Sequence, residues 1–228
     1  MDSKNIVFLN EETALSPYGS GREVQPQIDP VLIKKWLQLC ELHHGDKCMP
    51  QSGLMRTQEN PSGIKVLRVI DTQELCIVEA EQGVRYVTLS YVWGKVVSIR
   101  WLRENLAEFT AKGGLPKHAL PKTISDAIDL VNVIGERYLW VDSLCLLQDD
   151  PDDMADGISK MDMVYLGALF TIIAAHGEDA NAGLPGLHPG SQEVDQLIVE
   201  VEPGIKMTDI EGVYDSMSES QHNTRGWT

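Results

Sequence analysis

The sequence predicts an α/β fold with a parallel sheet at its centre, and three observations carry that expectation. Three runs rich in buried residue types, Tyr86–Val92, Tyr138–Leu147 and Ala168–Ala175, alternate with helical patterns. Strands that are apolar on both faces and separated by helices pair in parallel through right-handed crossovers. The helix between the first two is the clearest: Ile124, Ala127, Ile128, Val131 and Ile134 form one apolar stripe, with Gly135 placed as a left-handed terminator.

The elements follow in order. Residues 1–29 carry Pro17, Gly19, Gly21 and Pro26 and little periodicity, and read as a loose leader. From Pro30 a helix is predicted, since Val31, Leu32, Trp36, Leu39 and Cys40 recur at helical spacing. The runs Lys65–Ile70 and Leu75–Ala80, joined by Asp71, Thr72, Gln73 and Glu74, predict a hairpin. The main helix is expected to start at Ile124, with Thr123 as cap and Asp126 at its capping-box position. Tyr138–Leu147 reads as one strand holding a single charge, Asp142. Asp152 or Asp153 can cap the next helix, where Met154, Ile158, Met161 and Tyr165 recur. Beyond His176 the chain is polar and rich in Gly and Pro, with Leu197–Val201 as a further strand. The resulting division is a leader 1–29, a helix-and-hairpin lead-in 30–85, a core 86–187 and an acidic region 188–228.

Composition narrows the function. The 228 residues hold 34 acidic and 19 basic side chains, a net charge of −15, which disfavours gripping nucleic-acid phosphates or an anionic membrane. The acidity is uneven: residues 142–228 carry 17 acidic side chains against 3 basic. With 43% hydrophobic residues the chain is not a disordered acidic tail. Four cysteines are too sparse for a disulfide scaffold, the N-terminal apolar run is too short for a signal peptide, and no stretch reaches the roughly 18–20 residues of a membrane span. A soluble cytoplasmic protein is expected.

In an open parallel sheet, ligands sit beyond the carboxyl ends of the strands. Those ends are Tyr91 to Gly94 and Ser143 to Asp150, where Trp93 offers a flat apolar wall and Gly94 lets backbone approach a ligand. Asp142, inside an apolar strand, must be hydrogen-bonded or paired; it either orients a catalytic group or caps a neighbouring loop. Cys145 with His176 as nucleophile and base has no local motif behind it. Cys40, His43, His44 and Cys48 invite a zinc reading, but one helix end rarely surrounds a tetrahedral ion, so no metal is expected and Cys40, His44 and Cys48 stay weak candidates. The run Asp149, Asp150, Asp152, Asp153, Asp156 lacks the glycine and terminal Glu of a calcium loop and is explained by helix-start electrostatics, with weak Mg²⁺ binding left open. No dinucleotide, Walker, nucleophile-elbow or H-E-x-x-H motif occurs.

The ordered motifs then carry a resemblance. Tyr86 to Gly94 (YVTLSYVWG), Leu120 to Ile128 (LPKTISDAI), Tyr138 to Asp149 (YLWVDSLCLLQD), Met161 to Tyr165, Thr171 to Ala175 (TIIAA) and Arg225 to Thr228 (RGWT) together resemble the fungal heterokaryon incompatibility (HET) domain. The lead-in, with Trp36, Leu37, Cys40, His44, Cys48 and Leu67 to Asp71, is similar as well. The resemblance implies non-self recognition between fungal strains and programmed cell death after incompatible fusion. It also implies a distant similarity to TIR domains, hence a flavodoxin-like three-layer fold and NAD as a substrate cleaved with the help of a glutamate. In the family the Arg-Gly-Trp-Thr motif runs on into a Gln-Glu pair, so the candidate glutamate is expected beyond Thr228. The pocket implied comprises Ser90, Tyr91, Trp93, Gly94, Asp142 and Ser143, with Cys145, Gln148, Asp149, Arg225 and Trp227 around it. The expected partners are a second copy or another incompatibility protein, with a non-catalytic association module as the alternative to an enzyme.

Overall fold

A five-stranded sheet at the centre of the chain and a smaller three-stranded sheet built from its two ends divide the secondary structure. The structure is a computed structural model and describes residues 5–9, 21–45, 48, 63–96, 99–210 and 220–224. The elements are β1 (Asn5–Phe8), α1 (Pro30–His43), β2 (Arg68–Asp71), β3 (Cys76–Glu79), β4 (Val87–Tyr91), α2 (Leu106–Thr110), α3 (Lys122–Val133), β5 (Tyr138–Trp140), α4 (Asp142–Cys145), α5 (Pro151–Ser159), α6 (Met161–Leu166), β6 (Thr171–Ala174), β7 (Ile198–Glu202) and β8 (Ile205–Ile210). A 3₁₀ turn, Gln221–Thr224, follows near the C-terminus.

The central sheet runs β3-β2-β5-β4-β6. Its parallel part is β5, β4 and β6: Val87 pairs with Leu139, and Thr88 to Tyr91 pair with Thr171 to Ala174. The parallel-sheet core expected from the sequence is corrected in one respect: its three strands pair in parallel, but the hairpin, expected as an extension, joins them and makes the sheet mixed. Four residues join β2 to β3, a connection that permits only antiparallel pairing. The hairpin then adds to β5 antiparallel, Ile70 opposite Leu139, and becomes part of the sheet.

Alternation along β4 decides what each face does. Val87, Leu89 and Tyr91 lie on one face and Thr88 and Ser90 on the other. Val87, Thr88 and Leu89 are buried, with Leu139, Trp140, Ile124, Ile128 and Val131 among the fully enclosed core. On the second face Thr88 Oγ1 bonds Thr171 Oγ1 at 2.7 Å, and Tyr165 meets Trp140 edge-on at 5.7 Å between ring centroids.

The expected long strand over 138–147 is corrected to a short β5 followed by a helical turn. The chain turns because Leu144 and Cys145 N–H donate to Val141 O, and the Gln148 amide closes the end on Asp142 O and Leu146 O. The main helix begins at Lys122 after Pro121, so Thr123 lies inside it. Thr123 Oγ1 accepts from Gly183 N–H at 3.0 Å, and Asp126 is buried; neither caps the helix. Asp150, rather than Asp152 or Asp153, caps α5, accepting from the N–H groups of both.

The smaller sheet runs β1-β8-β7, all antiparallel. Residues 5–8, read from the sequence as irregular leader, thus form a strand against β8. Among the described residues no helix is long and apolar enough to cross a membrane.

Candidate functional site

The carboxyl ends of β4 and β5 bring five of the sequence-predicted residues into one hydrogen-bonded group, with Asp149 bonded separately beside it. Tyr91 Oη and Ser143 Oγ lie 3.0 Å apart and buried. The Trp93 indole N–H donates to both Asp142 oxygens at 3.1 and 3.3 Å, and Ser143 N–H donates to Asp142 Oδ1 at 2.7 Å. Gln148 holds the Asp142 carbonyl, and Asp149 accepts from Arg103 N–H through both oxygens at 3.1 Å. Asp142 therefore works as an orienting acceptor: it stands at the first position of α4, where the helix end favours negative charge, and fixes the plane of Trp93.

Gly94 sits at φ +65°, and a Cβ there would stand 2.3 Å from Asp179 Cβ. Only glycine allows this turn to close on the loop after β6, and Ala180 N–H reaches back to Trp93 O at 3.4 Å. The two loops that leave the facing ends of β4 and β6 are thus packed together, at the point where the parallel strand order reverses. Trp93 remains half-buried beside them. Arg100, exposed, places its guanidinium carbon 5.4 Å from the Trp93 ring centroid, and Lys95 is exposed two residues along the chain. The site therefore pairs an anchored aromatic face with cationic groups.

Ser90 belongs elsewhere. Pointing to the opposite face from Tyr91, it bonds His222 Nε2 at 2.8 Å, and His222 is buried. The expected grouping of Ser90 with Tyr91 is corrected by strand alternation. The contact also brings the 3₁₀ turn Gln221–Thr224 onto β4, three residues before Arg225. Arg225 and Trp227 lie outside the described residues. Cys145 is fully enclosed, accepts from Val141 N–H at 3.3 Å, and burial pushes its thiol up to about 12. A thiol held in that form is no nucleophile at neutral pH, and His176 is exposed.

The acidic run is committed to local contacts. Asp150 caps α5 and pairs with Arg103 at 2.8 Å, Asp153 pairs with Arg68 at 2.8 Å and accepts from Leu147 N–H, and Asp156 pairs with Lys160. These side chains line a cleft of about 510 Å³ beside the end of β5, floored by Trp140 and Leu146. Its charges are largely matched within the protein. Sequence reasoning missed Arg68, Arg100 and His222: Arg68 and His222 act on partners 85 and 132 residues away, and no motif marks the contact of Arg100 with the nearby Trp93 ring.

A second polar centre lies on α3. Burial works to raise the Asp126 carboxyl, but Lys122, the Leu184 N–H and His188 Nε2 outweigh it and hold the group below the usual carboxylate range. Arg137 and two backbone N–H groups do the same for buried Asp71. These centres fasten loops: Asp126 ties residues 183–188 to the helix, and Asp71 ties the hairpin turn to the start of β5.

Cys40, His44 and Cys48 are brought together at the end of α1, with ligand atoms all within 4.8 Å of one another. Burial and the neighbouring Cys48 push the Cys40 thiol up.

In a comparison with known families, the family model described as "Heterokaryon incompatibility protein (HET)" matches residues 86–228. Comparisons with curated proteins and with solved structures return no match.

Proposed function

We propose a function from one premise: the chain belongs to the heterokaryon incompatibility (HET) family. On this reading it acts in the cytoplasm, in fungal non-self recognition, as a domain that turns an incompatible encounter into a death signal. Its site recognises a dinucleotide of the NAD class at the carboxyl ends of β4 and β5. The observation that carries the reading is the Trp93–Arg100 pair, an aromatic face oriented by Asp142 and topped by an exposed cation. An aromatic ring and a pyrophosphate are the two features such a ligand presents. The strand order β5-β4-β6, with its reversal at β4, supports the flavodoxin- and TIR-like comparison.

Cleavage of NAD would break the bond between ribose and nicotinamide, with water supplying the new hydroxyl and nicotinamide departing neutral. The oxocarbenium-like centre calls for a nearby carboxylate. Asp142 is not given that role, because its oxygens already hold Trp93 and the start of α4. We assign that role to none of the described residues; the resemblance implies a glutamate following the Arg-Gly-Trp-Thr motif. The Ser90–His222 contact brings the turn Gln221–Thr224 to the central strand.

The test is NAD titration followed by tryptophan fluorescence, with nicotinamide release measured in parallel. Binding is expected, and Trp93→Ala should weaken it about tenfold, the value of one lost stacking contact. Equal affinity in Trp93→Ala and the parent protein, or no binding at millimolar NAD, overturns the site.

A second reading, a non-catalytic association module, is favoured by the outer sheet. Ile6, Phe8, Val199 and Val201 are exposed on it, and the exposed acids Glu200 and Glu202 alternate with the valines along β7. If this surface drives association through its acids, a sedimentation profile should shift between low and high salt.

A further inference from the structure

We propose that Cys40, His44 and Cys48 form a zinc site that clips the end of α1 to the chain that follows it. The spacing of four places Cys40 and His44 one above the other on the same face of the helix. His44 is the helix C-cap, its N–H still bonded to Cys40 O at 3.0 Å. Gly45 then takes φ +51°, and Cys48 N–H closes on Gly45 O at 3.1 Å, so the third ligand returns to the first two. His44 Nδ1 stands 3.3 Å from Cys48 Sγ, and all three ligand atoms fall within 4.8 Å of one another. With zinc bonds of about 2.0–2.3 Å, tetrahedral ligand atoms lie about 3.5–3.8 Å apart, so the site needs about 1 Å of side-chain adjustment at most.

The donor set chooses the metal. Two thiolates and an imidazole suit zinc and reject magnesium and calcium, which require oxygen. Cys40 and Cys48 are half-buried and His44 is exposed, so the ion can enter from solvent, and water completes the fourth position. Its surroundings give the site a purpose. α1 has no buried side chain, and Val31, Trp36 and Leu42 are 72%, 48% and 76% exposed. Apart from its Asp29 cap, the ion pairs that hold it reach the core through Glu41, Arg85 and Glu136. A helix with so little burial gains most from a metal clip at its free end.

The test uses the full chain, purified under reducing conditions and measured for metal content, with a cobalt titration read by its visible absorption. One equivalent of zinc per chain and the spectrum of tetrahedral thiolate-bound cobalt are expected. The Cys40→Ser/Cys48→Ser double variant should lose both while its circular dichroism stays that of a folded protein, and a chelator should lower the thermal midpoint of the parent chain alone. Three results overturn the proposal: a metal-free parent chain with both thiols titratable, a Cys40–Cys48 disulfide in place of the metal, or zinc retained by the double variant.

Discussion

The central sheet and the outer elements of this chain hold together by different means. In the core, β2, β4, β5 and α3 enclose side chains completely: Val69, Val87, Leu139 and Ile128 are all fully buried. The outer elements, α1 and the β1-β8-β7 sheet, leave large apolar side chains in water. They are held by backbone pairing, by ion pairs such as Glu41–Arg85 and, on our proposal, by a metal. The contrast teaches where mutations will be felt. Burial contributes about 25 cal/mol per Å² of apolar surface, whereas an exposed ion pair contributes at most about 1 kcal/mol.

The sharpest way to break that contrast is to truncate a large residue on each side. Trp140→Ala removes an enclosed indole packed on Tyr165 and should cost about 3–5 kcal/mol in chemical denaturation. Comparable losses for Trp140→Ala and for the half-exposed Trp36→Ala would erase the distinction.

Next in size is the polar centre of α3. Asp126→Ala should cost about 2–4 kcal/mol, because it leaves the buried Leu184 N–H without its acceptor and Lys122 without its partner. Since the folded carboxyl lies below its ordinary value, its contribution is complete above the ordinary carboxylate pKa of about 3.9. It is lost as the pH falls through the depressed folded value. A stability profile against pH should accordingly be flatter in acid for Asp126→Asn than for the parent chain, and parallel profiles would exclude Asp126 as a contributor.

Gly94→Ala should cost about 1–3 kcal/mol, from the positive φ and from the collision with Asp179. Because that glycine closes the loop beside Trp93, the same variant should also weaken NAD binding, read in the fluorescence titration. At the small end, Trp36→Ala on the surface of α1 should change stability by no more than about 0.5 kcal/mol, as judged by its denaturation midpoint.

Parts of this architecture were legible in the sequence. The apolar stripe from Ile124 to Ile134 marked α3, and the spacer of Asp71 to Glu74 marked the hairpin, because both signals are local and periodic. Gly135 takes the left-handed conformation its position suggested, at φ +83°. Asp142, read as needing a partner, has one in Trp93. Thr123 and Asp126 misled because their cap-like spacing serves the loop at 183–188 instead, which local pattern does not encode. Ser90 was misgrouped although strand alternation alone separates it from Tyr91. The acidic run, read as helix-start electrostatics, caps α5 through Asp150, and local sequence did not show that Asp150, Asp153 and Asp156 also pair with Arg103, Arg68 and Lys160.

The sequence by itself determined the order of the core elements and the residue types at the carboxyl ends of the strands, since these depend on short-range periodicity, and its ordered motifs carried the resemblance to the family. Only the tertiary structure decided that the hairpin joins the central sheet, making it mixed, that Arg100 sits over Trp93, that His222 reaches Ser90, and that Cys40, His44 and Cys48 converge. Each of these is a meeting of groups whose geometry is fixed by sheet register or by the path of a turn. No single stretch of chain carries that information.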